Sequence, residues 1–111
     1  MSDVGQRLIA EVNRVASENP DFVYRAPGDR VSCVYVRNGA PSCLVGHGLW
    51  NTGLIGAEFE NLIQNGIKIN TMGVGGALIA LGVELDPEEV ELLECIQDDQ
   101  DCGTPWGECV S

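Results

Sequence analysis

Apolar residues recur at Val4, Leu8, Val12 and Val15 with polar residues between them, until Asn19-Pro20 stops the pattern. That spacing predicts an amphipathic first helix, and Asp3 followed by Gln6 has the form of a capping box at its start. Phe22–Arg25 and Val31–Val36 are rich in Val, Tyr and Phe and are separated by Ala26-Pro27-Gly28-Asp29, so together they predict a short antiparallel hairpin. Arg37-Asn38-Gly39 then ends its second strand. Pro41 suits the first residue of a helix reaching Trp50, because the N–H it lacks has no partner at that position. Gly46 and Gly48 weaken the helical pattern inside that stretch.

From Glu58 to Gln64 a brief helical pattern on Phe59, Leu62 and Ile63 is closed by Asn65-Gly66. Asn70 or Thr71 is placed to cap a helix over Met72 to Leu81, which Gly82 ends. The last helix carries the clearest signals: Asp86 as N-cap, Pro87 at the first helical position and Glu89 completing a capping box. Val90, Leu93, Ile96 and Gln97 form its inner face, and Cys102-Gly103 closes it. No repeat, low-complexity segment or linker divides the chain. These elements predict an α+β fold: one mostly helical domain over residues 1–111, with about four to five helices and one short antiparallel hairpin.

Composition refines this picture. With 111 residues the chain is long enough to close a hydrophobic core without staples, and a content of 44% hydrophobic but 5% aromatic residues makes that core aliphatic. The longest apolar stretch, Met72 to Val83, falls short of the roughly 18 to 20 residues that cross a bilayer, and no basic segment precedes it, so the chain is expected in the cytoplasm.

Charge is unevenly placed. Of the total of −11, the first 68 residues contribute almost nothing, with seven acids against all six bases. From Ile69 onward there are ten acids and no base. Such a surface repels phosphate backbones and anionic lipid headgroups, so neither nucleic acid nor membrane is expected as a direct partner. The acid run reads either as a solvated helix face or as a docking surface for a basic protein. Homo-oligomerisation is left open by the sequence.

Two motifs imitate chemistry. The Gly73-x-Gly75 before a predicted helix resembles a dinucleotide fingerprint, but Leu78 stands where the third glycine belongs and Glu84 and Asp86 come too early. Gly73, Gly76, Ala77 and Ala80 instead make a small-residue face that lets another element approach. Cys43 and His47 lie four residues apart on one predicted helix, a spacing open to metal or thiol chemistry. The five cysteines, Cys33, Cys43, Cys95, Cys102 and Cys109, form no Cys-x-x-Cys pair, and no second group orients His47 as a base. Free thiols, no cofactor, no resident metal and no catalytic residue are therefore expected, with a Cys43/His47 metal or thiol site as the alternative.

Two stretches carry a resemblance. "VYVRNGAPSCLVGHGLWNTG" (Val34 to Gly53) and "IQDDQDCGTPWGECV" (Ile96 to Val110) resemble segments of small uncharacterised proteins of actinobacteria and their phages. In those chains a Pro-Ser-Cys-Leu-Val-Gly turn follows a strand and a Gln-x-x-Gln-Asp-x-Gly-x-x-Trp pattern ends the domain. Gln97, Gln100, Asp101, Gly103 and Trp106 match the latter. The resemblance implies an intracellular accessory protein, phage-encoded or of a phage host, and transfers no activity.

The sequence thus points to a protein–protein interaction module rather than an enzyme, with an acidic nucleic-acid mimic as a further alternative. Its preferred docking edge is Glu91, Glu94, Asp98 and Asp101, outward-facing on the last helix, with Trp106 as the aromatic anchor. The competing reading of Trp106 is that it folds back to close the core.

Overall fold

A computed structural model describes residues 2–25 and 33–110. The chain is mostly helical with two small antiparallel strand pairs, an α+β fold as expected. Its helices are α1 (Asp3–Glu18), α2 (Leu44–Asn51), α3 (Val74–Leu81), α4 (Pro87–Asp101) and α5 (Trp106–Cys109). β1 (Val36–Arg37) pairs with β2 (Ala40–Pro41), and β3 (Ile63–Gln64) with β4 (Ile67–Lys68). Among the described residues no helix is long and apolar enough to cross a membrane.

α1 buries Leu8, Val12, Val15 and Ala16 as its periodicity predicts, but Val4 is exposed and Gly5 takes the inner position of the first turn, against Glu89. Its cap, however, is Ser2 rather than an Asp3/Gln6 box. Ser2 Oγ accepts from the Gly5 N–H at 3.0 Å, and the Gln6 amide is drawn away to Glu89 of α4. The bound carboxylate outcompetes a local cap because it is a charged acceptor.

The strands lie elsewhere than the hydrophobic runs suggest. Phe22–Arg25 forms no strand with any described residue, and the proposed turn at 26–29, with residues 31 and 32 of the following strand, falls outside the described residues. Val36 does enter a strand, but it pairs with Pro41 across Asn38-Gly39. Asn38 (φ 55°) and Gly39 (φ 76°) both take left-handed backbone, as a tight hairpin turn requires, and Asn65 (φ 53°) with Gly66 (φ 77°) repeats it between β3 and β4. Consequently Pro41 belongs to a strand, and the helix begins at Leu44 with Cys43 as N-cap. The predicted helical turn at 58–64 is a 3₁₀ turn, Ala57–Asn61, followed by β3.

Gly46 and Gly48 have physical reasons. A side chain at Gly46 would overlap the Tyr35 carbonyl, and one at Gly48 would overlap Val12 of α1, so both let α2 press against its neighbours. Asn70 caps no helix. Its side chain is buried, accepting from the Tyr35 and Val36 N–H groups at 3.1 and 2.9 Å and donating to the Val36 carbonyl at 2.8 Å, and so acts as a one-residue strand beside β1. α3 starts at Val74 with Gly73 as N-cap, two residues later than the predicted Met72, and ends, as predicted, at Gly82 in the left-handed conformation (φ 71°). Asp86, Pro87 and Glu89 open α4 as the capping-box pattern predicts.

The core gathers the inner faces of α1, α2 and α4 around Tyr35, whose ring meets Phe59 edge-on at 5.9 Å. α5 closes the far side: the Trp106 and Gly107 N–H groups donate to the carbonyls of Phe22 and Pro20 at 2.9 and 3.0 Å.

Candidate functional site

The segments 34–53 and 96–110 meet at one side chain. Gln100, buried on α4, accepts from the Leu44 N–H at the start of α2 (2.8 Å) and from the Trp106 indole N–H (3.2 Å). Its amide donates to Asp101 at 2.9 Å. One turn earlier, Gln97 donates to the thiol of Cys33 and faces the Tyr35 hydroxyl, which itself donates to the Met72 carbonyl at 2.7 Å. Gln100 therefore ties the α4–α5 end of the chain to the strand-to-helix turn at Pro41–Gly46, while Gln97 holds α4 against Cys33 and Tyr35.

This settles where Trp106 lies. It is 3% exposed, 4.6 Å from the Phe22 ring and 5.4 Å from the His47 ring, so it closes the core and is not an aromatic anchor on the acidic edge. Its indole N–H has an internal acceptor in Gln100, which makes burial affordable for the polar end of the ring. Asp101 also departs from the expected outward face. It is half-buried beside Gln100 and Cys33, and burial raises its carboxyl above the ordinary range. Glu91, Glu94 and Asp98 are exposed as expected.

Cys43 and His47 share a turn but not a ligand geometry. The Cys43 thiol is fully buried, accepts from the Gly46 N–H and caps α2, while His47 Nδ1 bonds the Cys43 carbonyl at 2.9 Å. Burial holds the Cys43 thiol well above its usual range, whereas the hydrogen bond from Cys43 lowers that of neighbouring Cys33. Cys95 and Cys102 are exposed on and just after α4, and Cys109 is buried in α5, its thiol pushed up to about 11 by burial. Among the described residues no three His, Cys, Asp or Glu side chains gather as a metal cluster.

Two surfaces remain as candidates. One is a groove of about 580 Å³ between the Asn19–Arg25 segment and the β2–α2 turn, floored by Trp106 and His47. The other lies on α3. Ile79 is 81% exposed and borders two hollows, one against Ile67 and Met72, the other of about 320 Å³ lined by Gly75, Leu78, Val83, Leu85 and Val90. Acids edge the latter: Glu84 lines it, and Glu94 Oε2 lies 3.3 Å from where a side chain on Gly75 would begin. Glu91, Glu94 and Asp98 follow one another at helical spacing on α4, and among the described residues the ion pairs are those of Arg14 with Glu11 and Glu18, none reaching α4. Sequence reasoning found these acids but missed Ile79, which stands inside an unbroken apolar run and carries no periodic signal of exposure.

No family model, no curated protein and no solved structure matches this chain.

Proposed function

We propose that the protein is a non-catalytic interaction module that docks a basic protein partner across α3 and α4. Ile79 and its flanking hollows supply the apolar centre, and Glu84, Glu91, Glu94 and Asp98 the charged rim. The observation that carries this reading is the exposure of Ile79 between two hollows, one of them edged by Glu84 and Glu94, which ion-pair with no described residue. A large aliphatic side chain left in water beside grooves of its own kind marks a surface meant to be covered. A rim of one charge sign then selects a basic amphipathic helix, whose apolar positions fill the hollows while its cations meet the carboxylates. The resemblance of Pro41–Gly46 and Gln97–Trp106 to proteins of actinobacteria and their phages supports an intracellular accessory role, phage-encoded or of the host.

Affinity isolation from an actinobacterial lysate, run in parallel with Ile79→Asp and with Glu91→Lys/Glu94→Lys, tests this. A partner held by the native chain should be lost with Ile79→Asp and weakened by charge reversal and by salt. A partner that survives Ile79→Asp but not charge reversal would be bound by acidity alone, as by a nucleic-acid mimic, and would overturn the apolar centre.

A further inference from the structure

We propose that the groove between the Asn19–Arg25 segment and the β2–α2 turn binds a small planar organic anion, an aromatic ring bearing a carboxylate or phosphate. The first observation is charge. In a chain of net −11 the described lining of this groove contains two guanidiniums, Arg25 and Arg37, and the chain's single imidazole, His47, but no carboxylate. Arg14, on α1, is engaged by Glu11 and Glu18, whereas neither Arg25 nor Arg37 hydrogen-bonds or ion-pairs with any described residue. Arg37 also borders a second hollow with Glu60, whose carboxylate is held by the Asn38 and Gly39 N–H groups rather than by the guanidinium. Two guanidiniums without an ion-pair partner among the described residues thus share one concave surface, and their planar forks match carboxylate or phosphate oxygens.

The second observation is apolar. Phe22 is 48% exposed in the same groove, its ring tilted at 58° against Trp106, so a flat ligand has an aromatic surface to cover. Pro41 and Val23 extend that wall, and the hydrogen-bonded hydroxyls of Tyr24 and Ser42, 2.8 Å apart, add a polar point between ring and cations. A volume of about 580 Å³ accommodates a ligand of this size. This site stands apart from the α3–α4 face and is independent of the partner proposed there.

The test titrates the folded chain with 1-naphthoate, 1-naphthyl phosphate, neutral 1-naphthalenemethanol and inorganic phosphate, following the Trp106 indole N–H resonance by NMR. At least one aromatic anion should shift Trp106 saturably and leave Trp50, outside the groove, unmoved; whichever anion binds better names the head group. The neutral alcohol and inorganic phosphate should each bind about tenfold more weakly. Arg25→Gln and Arg37→Gln should each weaken the aromatic anion about tenfold, since a hydrogen bond to a charged group is worth about that much, with unchanged circular dichroism. Equal binding of the alcohol and the anions, equal binding of bare phosphate, no saturable shift, or indifference to both arginine variants would overturn the proposal.

Discussion

Gly5 of α1 lies against the carboxylate of Glu89 of α4, and a side chain at Gly5 would overlap that carboxylate. Glu89 is fully buried there, accepting from Ser2 Oγ at 2.8 Å, Gln6 Nε2 at 2.9 Å and the Asp86 N–H at 2.9 Å. One carboxylate thus serves the N-terminal ends of two helices, where negative charge is favoured. On an open helix Gly→Ala stabilises by about 1 kcal/mol. Here overpacking should reverse the sign, so Gly5→Ala is expected to destabilise by about 1–3 kcal/mol in urea unfolding. A gain in stability would show that α1 and α4 are not joined in this way.

The same carboxylate sets the acid limb of stability. Hydrogen bonding from Gln6, then from Asp86 and Ser2, holds Glu89 down to about 2. A group depressed in the folded state contributes stability above its unfolded pKa of about 4.3, and that contribution drains away as pH falls from roughly 5 towards 2. Asp101 acts oppositely, because its folded carboxyl is raised by burial. Glu89→Gln should therefore flatten the loss of stability between pH 5 and 2, measured by urea midpoints across that range, while Asp101→Asn should steepen it.

Gln100 ties Trp106 into the core. Gln100→Leu strands two buried donors, the Leu44 N–H and the Trp106 indole N–H, and each unsatisfied group costs about 1–3 kcal/mol. Equilibrium unfolding should show a loss of about 2 kcal/mol or more, with the Trp106 indole resonance displaced. A variant as stable as the native chain would mean that neither bond contributes.

Much of this fold is legible in the residues themselves. The spacing of Leu8, Val12 and Val15 gave α1, and Asp86-Pro87-x-Glu89 placed the start of α4, because both signals are local. The strands lie largely outside the β-rich runs for a reason the sequence also contains. Asn38-Gly39 and Asn65-Gly66 are hairpin turns, yet the strands they join are only two residues long, too short to show alternation. Asn70, Gln97 and Gln100 could not be read as core residues, since a buried amide is recognised only by the distant backbone and side-chain groups it satisfies. Trp106 was legible as important but not as internal, because what buries it, Phe22, His47 and Gln100, converges only in the folded chain.

The proposed function divides two roles, with Trp106 holding the fold and Ile79 docking the proposed partner. Thermal unfolding and partner capture, measured on Trp106→Ala and Ile79→Asp together, test it most directly. Trp106→Ala should lose about 3–5 kcal/mol, the cost of emptying a buried aromatic site, whereas Ile79→Asp should stay within about 0.5 kcal/mol of the native chain and fail to retain the partner. A Trp106→Ala protein of native stability that no longer binds, or an Ile79→Asp protein that binds as before, would contradict it.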